Sequence, residues 1–125
     1  MYGTVTLERI EEELKKYADS QNVEIKTAQS NNEGDIINEI HNASNWANGI
    51  IINPGAYAHY SYAIRDAIAA IKIPVIEVHI SNIFSREEFR HQTPVTSVCK
   101  GLVVGFGWSS YLVGLFGLID LLIKE

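Results

Sequence analysis

The chain has 125 residues, which suits a single domain covering 1–125. It carries 10 basic and 15 acidic residues, and a formal net charge of −5 argues against nucleic-acid binding because phosphate contacts need clustered Lys and Arg. Hydrophobic residues make up 46% and charged residues 20%, the proportions of a packed globule. The single cysteine, Cys99, excludes an internal disulfide framework and a cysteine-based zinc site, so we expect a reducing, cytoplasmic location.

The first half of the chain alternates between helix and strand patterns. Apolar residues at helical spacing predict an amphipathic helix, capped by Thr4 or Thr6: Leu7, Ile10, Leu14 and Tyr17. Alternation in period two over residues 23–27 predicts a strand. Ser30 and Glu33 match the S-x-x-E capping box before a second helix, whose apolar face carries Ile36, Ile37, Ile40 and Ala43.

The second half begins with a short apolar run over residues 49–53, the pattern of a strand buried on both faces. A third helix follows, with the apolar residues Ala63, Ile64, Ala67, Ile68 and Ile71, and residues 74–79 predict another strand. The apolar stretch 102–123 approaches the roughly 20 residues that span a bilayer. Glycines and a serine pair interrupt it, so we predict a strand over 102–106 and a helix from about Ser109, with no membrane span.

This order of elements predicts an α/β fold, a flavodoxin-like doubly wound parallel sheet in three αβα layers. A doubly wound domain normally opens with a strand. Here the pattern opens with a helix, so the first strand is apparently lacking.

Polar side chains follow the predicted strands at their carboxyl ends, where open α/β sheets bind ligands. By topology alone, one rim of the sheet gathers a Tyr, an Asn, two or three His and two Arg, namely Tyr2, Asn53, His59, His79, Arg86, Arg90 and His91. The convergence of these polar groups is the strongest structural inference that the residues alone allow.

Each of these residues also has a purely structural interpretation. A lone histidine at a strand end, like His79, is more often a hydrogen-bonded structural group, but Glu77 shares its face in period two and suits it to general acid catalysis. His59 precedes a predicted helix and could equally well be an ordinary polar residue at a helix N-terminus. Arg86 and Arg90 could form a solvated face, although their four-residue spacing beside the rim favours an anion clamp.

No pattern for a metal or a cofactor is present. The histidines lack metal-ligand spacing, no G-x-G-x-x-G follows a strand, and the glycines near residues 101–107 lack the Lys-Ser/Thr of a phosphate-binding loop. Cys99 has no evident activating neighbour and is interpreted as inert.

Together, these residues resemble the type II 3-dehydroquinate dehydratase family, the dehydroquinases of the shikimate pathway. The matching segments are collinear over the chain: Tyr2-Gly3, QSNNEG at 29–34, INPGA at 52–56, His59, IRDA at 64–67, EVHISN at 77–82, REEFRH at 86–91 and Lys100-Gly101. A collinear set of this extent is far more specific than any single motif.

The resemblance implies a dehydratase that converts 3-dehydroquinate to 3-dehydroshikimate by anti elimination through an enolate, without metal or organic cofactor. By matching position, Tyr2 would be the base, His79 the general acid and Glu77 the residue that orients it. Substrate would be held by Asn53, His59, Ile80, Ser81, Arg86 and Arg90. The family forms trimers that assemble into dodecamers, and Asp66 would reach a neighbouring subunit's site.

The chain also departs from the family pattern. Family members place a strand, an Asn-Gly-Pro-Asn turn and a lid arginine before the Tyr-Gly, whereas Tyr2 here directly follows Met1. Relative to the family the chain is N-terminally truncated, and three explanations are open: further residues precede this sequence in the full protein, which we favour, the protein is a genuine truncation, or a separate fragment supplies the strand. In this sequence, the tyrosine lacks its usual cation. A phenolate at neutral pH costs on the order of 4 kcal/mol without one. The alternative to an active enzyme is a catalytically impaired homologue that binds the substrate and assembles without turnover.

Overall fold

The computed structural model describes residues 5–124. The helices are α1 (Leu7–Ser20), α2 (Glu33–Ala43), α3 (Tyr62–Ala69) and α4 (Ser109–Lys124), and the strands are β1 (Ile50–Ile52), β2 (Val75–His79) and β3 (Gly101–Val104). Short 3₁₀ turns cover Gly55–His59, Ile83–Ser85, Glu88–His91 and Thr96–Val98. Three of the four predicted strands and all four predicted helices are confirmed, including the start of α4 at Ser109.

The three strands form one parallel sheet in the order β1-β2-β3, with β2 in the middle. Ile51 pairs with Ile76 across β1 and β2, and Val78 pairs with Val103 across β2 and β3. Helices flank this sheet, which confirms the predicted three-layer α/β architecture of the flavodoxin-like kind.

The two faces of β2 pack against different helices. Val75 lies in a core with residues of α2 and α3, among them Ile40 and Ile64. Ile76 and Val78 lie on the other face and pack with Leu118 of α4. Because side chains alternate along a strand, Glu77 and His79 share the face of Val75. The prediction that these two residues point to the same side of the sheet is confirmed.

The predicted strand over residues 23–27 is wrong. Within the described range 5–124 this segment is not hydrogen-bonded into the sheet, although Val23 and Ile25 pack against the cluster that Ala18, Leu115 and Ile119 form between α1 and α4. Period-two alternation indicates that one side of a segment faces the protein interior, and this is true of residues 23–27. A strand also needs a neighbour that accepts and donates its backbone hydrogen bonds, and alternation does not supply one.

Of the two helix-capping predictions, one is confirmed and the other is wrong. Thr6 caps α1, since its Oγ1 accepts a hydrogen bond from the Arg9 N–H at 3.1 Å. The capping box of Ser30 and Glu33 is wrong, because Asn32 caps α2 through Oδ1, which accepts from the Asp35 N–H at 3.2 Å. Asparagine is as good an N-cap as serine and stands directly before the helix.

The C-terminal apolar stretch forms β3 and α4, as predicted. A Cβ on Gly114 would lie 2.8 Å from Cγ1 of Val78, so the absence of a side chain lets α4 approach β2 closely. None of the helices between residues 5 and 124 combines the length and the hydropathy that a membrane span requires.

Candidate active site

A cavity of about 230 Å³ opens at the carboxyl ends of β1 and β2. Its volume suits a ligand smaller than a drug-sized molecule, whose pockets start near roughly 300 Å³. The lining residues are Asn53, Gly55, Ala56, His79, Ile80, Ser81, Ile83, Arg86 and Arg90. Most of the site residues predicted from the sequence are therefore brought together at the predicted rim.

His79 is held by a buried carboxylate. Glu77 is fully buried, and its Oε2 lies 2.5 Å from Nε2 of His79. A carboxylate accepts hydrogen bonds, so this contact assigns the ring proton to Nε2 and leaves Nδ1 without a partner among residues 5–124. The same ring lines the cavity. A protonated His79 can therefore carry a second, transferable proton on Nδ1, while Glu77 stabilises the positive ring.

His59 lies beside His79 with its ring stacked at a centroid separation of 6.1 Å. Its Nδ1 is 2.9 Å from the carbonyl oxygen of Gln92, which can only accept, so Nδ1 carries the proton. Nε2 of His59 is buried and has no hydrogen-bond partner in the described part of the chain. Buried polar atoms are nearly always partnered, so this nitrogen is suited to a ligand hydroxyl.

Asn53 is oriented by two contacts at the end of β1. Its Oδ1 accepts from the Gly55 N–H at 3.1 Å, in a turn that needs the left-handed conformation of Gly55 (φ 58°). Its Nδ2 donates to the hydroxyl of Tyr111 at 2.9 Å. The amide has two N–H groups, so one remains for a ligand.

The two arginines of the cavity are linked through Glu87. Nε of Arg90 donates to both carboxylate oxygens of Glu87, at 2.9 and 3.2 Å, and Nη2 of Arg86 lies 3.8 Å from one of them. The hydrogen bond from Arg90, aided by the charges of Arg90 and Arg86, lowers the pKa of Glu87 below its usual value. Nη1 of Arg86 also reaches Oγ of Ser81 at 3.4 Å. The two positive guanidinium groups and the one negative carboxylate sum to a single positive charge, which suits a monoanionic ligand.

Glu77 and His59 lie against His79 without lining the cavity, whereas Asp66 is not brought to it. Asp66 lies on α3 with an exposed side chain, 3.0 Å from Nη1 of Arg65, and does not line the cavity. Tyr2 lies outside the described residues.

Cys99 is half-buried near the site. Burial, with a smaller contribution from the charge of Glu77, raises the pKa of its thiol to about 12, so it is a poor nucleophile at neutral pH. In the described part of the chain, no group of three or more His, Cys, Asp or Glu side chains is arranged to hold a metal ion.

Sequence reasoning missed three contacts of the site. Tyr111 could have been found, because α4 begins just beyond the carboxyl end of β3 and so lies at the same rim. Gln92 contacts His59 and Thr96 contacts Glu77, both from the polar segment between β2 and β3, where no periodic signal distinguishes them from solvent-exposed residues.

Comparisons with known proteins agree with this geometry. A family model described as dehydroquinase class II matches residues 1–119. The chain is 54% identical over 120 residues to curated 3-dehydroquinate dehydratases of Bacillus cereus (strain AH187) and Bacillus anthracis (strain CDC 684 / NRRL 3495), covering 96% of this chain and 82% of each relative.

Solved structures give the same result. A type II dehydroquinase from Butyrivibrio crossotus DSM 2876 superposes with a TM-score of 0.91 at 46% identity, covering 95% of this chain and 83% of that one. A type II dehydroquinase from Propionibacterium acnes has a TM-score of 0.87 at 36% identity, covering 96% and 83%. With a matching family model, close sequence relatives and the same fold, the chain belongs to the class II dehydroquinase family.

Proposed function

We propose that the chain removes water from 3-dehydroquinate to give 3-dehydroshikimate, by anti elimination through an enolate. The observation that carries this proposal is His79, held at Nε2 by the buried Glu77, beside a cavity with two arginines. Family membership supports the substrate, and the positive balance of the arginine pair fits its single carboxylate.

In the first step a base takes the proton beside the ketone, and the C–H electron pair forms the enolate. Tyr2 is the base in this proposal, by its place in the family pattern. A free phenol has a pKa near 10, so a neighbouring cation must stabilise the phenolate at neutral pH.

In the second step the enolate re-forms the ketone, its electrons make the new carbon–carbon double bond, and the carbon–oxygen bond breaks. The departing hydroxyl takes the Nδ1 proton of His79 and leaves as water. Glu77 lowers the energy of the charged ring before the transfer and fixes which nitrogen faces the cavity. The ring regains its proton before the next turnover.

Substrate binding follows from the groups left free around the cavity. Arg86 and Arg90 bind the carboxylate. The ring hydroxyls are held by the free N–H of Asn53, the unpartnered Nε2 of His59, the Ser81 hydroxyl and the Ile80 backbone. A neutral His59 accepts at Nε2, which matches a hydroxyl donor.

We further propose that the protein assembles as trimers within a dodecamer and that Asp66 contacts a neighbouring subunit's site. The exposed carboxylate of Asp66 on α3 is available for such a contact. Sedimentation velocity of the wild-type protein should give a mass that is a multiple of three chains. A monodisperse monomer would contradict this part of the proposal.

The experiment for the function is a dehydratase assay that follows the ultraviolet absorbance of the conjugated product, with calorimetric measurement of substrate binding. We expect turnover by the wild-type chain, its loss in His79→Ala and Tyr2→Phe, and no change in the control His41→Ala, an exposed histidine on α2. Binding without turnover by the wild-type chain would instead favour the impaired homologue.

A further inference from the structure

The buried carboxylate of Glu77 has a second partner besides His79. Oγ1 of Thr96 lies 2.6 Å from Oε1 of Glu77, the oxygen that does not contact the ring. Because an ionised carboxylate only accepts hydrogen bonds, the Thr96 hydroxyl is the donor. Thr96 does not line the cavity, so any effect on chemistry must pass through Glu77.

The backbone around Thr96 is fixed from both sides. Its N–H donates to the Thr93 carbonyl at 3.0 Å, and its own carbonyl accepts from the Cys99 N–H at 3.0 Å. The preceding residue, Val95, is fully buried in the core that α2 and α3 share with β2. The hydroxyl is therefore presented to Glu77 from a turn anchored in the core.

This contact matters because Glu77 is fully buried, with one partner for each oxygen in the described part of the chain. The terminal torsion of a glutamate is broad and has no strong preference of its own. One hydrogen bond on each oxygen fixes the carboxylate plane, and that plane sets the direction of the His79 ring. Losing one donor leaves a buried charged oxygen unsatisfied, which is costly.

We propose that Thr96 is a positioning residue for the elimination, acting through Glu77 on His79; this inference rests on the proposed function. The hydroxyl holds Glu77 in the orientation in which Oε2 accepts from His79 Nε2. It thereby keeps Nδ1 directed at the departing hydroxyl of the substrate.

The test compares Thr96→Val, which keeps the shape but removes the donor, with Thr96→Ser, which restores it. We expect Thr96→Val to lower kcat about 10- to 100-fold with KM within about twofold of wild type, because a charge-assisted hydrogen bond is lost away from the cavity. Thr96→Ser should recover kcat to within about threefold of wild type. If the valine variant does not fold, Thr96→Ala takes its place in the comparison.

Ser97→Ala is the matched control, since Oγ of Ser97 donates to the Pro94 carbonyl at 2.7 Å in the same turn and does not contact Glu77. It should leave both kinetic constants unchanged. A kcat for Thr96→Val within twofold of wild type, or a Thr96→Ser variant as impaired as Thr96→Val, would overturn the proposal.

A second readout separates this inference from the proposed function. The proton on Nε2 of His79 lies in a 2.5 Å hydrogen bond to Glu77 and should give a downfield proton NMR signal, whose detection needs no turnover. We expect that signal to move in Thr96→Val and to stay in Ser97→Ala. If the wild-type protein were inactive but showed this pattern, the dehydratase function would be refuted, whereas the orientation of Glu77 and His79 by Thr96 would stand. An unmoved signal in Thr96→Val would refute the positioning role.

Discussion

The carboxylate behind His79 offers the sharpest test of the proposed acid. Glu77→Gln keeps the size of the side chain and leaves an amide oxygen to accept from Thr96. The amide nitrogen then faces Nε2 of His79, where the carboxylate oxygen lies 2.5 Å away in the native protein. An amide N–H donates, so the ring must place its lone pair at Nε2 and its single proton at Nδ1. The charged ring also loses its counter-ion.

The size of the effect follows from this geometry. A hydrogen bond to a charged group contributes about 1.5–3 kcal/mol, and two unit charges about 4 Å apart attract by about 4 kcal/mol at an effective dielectric of 20. The two figures describe the same contact and are not summed. Since about 1.4 kcal/mol corresponds to a tenfold change in rate, we expect kcat to fall by about 10- to 10³-fold. Glu77 does not line the cavity, so KM should change by less than about threefold.

The assay is steady-state turnover of 3-dehydroquinate followed by product absorbance, with circular dichroism to verify folding. Glu39→Gln, at an exposed position on α2, is the matched control and should behave like the wild type. A folded Glu77→Gln protein whose kcat stays within threefold of wild type would refute the reasoning, because the ring would then need no carboxylate.

Three further predictions concern binding, packing and the thiol. Arg90→Lys replaces a planar fork with a point charge and should raise KM about tenfold, and an unchanged KM in steady-state kinetics would count against the clamp. Gly114→Ala puts a Cβ 2.8 Å from Val78 and should lower the free energy of urea unfolding by about 1–3 kcal/mol. Gly117→Ala has open space around the new Cβ and should raise that free energy by up to about 1 kcal/mol. Equal effects of the two variants would contradict the close approach of α4 to β2. The Cys99 thiol has its pKa raised from 9.0 to about 12, so at pH 8 it should react with a thiol reagent only after unfolding. Because the unfolded chain loses the thiol proton at a lower pH than the folded one, the free energy of unfolding should fall between pH 9 and 12. Rapid labelling of Cys99 in the native protein would contradict the raised pKa.

Much of the fold could be predicted from local pattern. The apolar runs at 49–53 and 74–79 and the serine pair that begins the terminal helix locate β1, β2 and α4 within a residue or two. Residues 23–27 show the limit of this method, since alternation predicts a buried side of the segment but not a hydrogen-bonded neighbour.

The site could be predicted as far as topology and spacing reach. Residues that directly follow strands, such as Asn53 and His79, were found because the carboxyl ends of parallel strands share one edge. Period two placed Glu77 on the same face as His79. Tyr111 is within reach of the same argument, because α4 begins just beyond the carboxyl end of β3. The contact of Thr96 with Glu77 depends on where a 3₁₀ turn packs in three dimensions, and the neighbours of Thr96 in the sequence give no sign of it.

The central claim is that His79 protonates the departing hydroxyl, and a change of leaving group tests it most directly. Turnover of 3-dehydroquinate would be compared with that of an analogue in which fluoride, which needs no proton to depart, replaces the departing hydroxyl. We expect His79→Ala to lose far more kcat on the hydroxyl substrate than on the fluoride analogue. An equal loss on both substrates would contradict the claim, because His79 would then act in some step other than protonation of the leaving group.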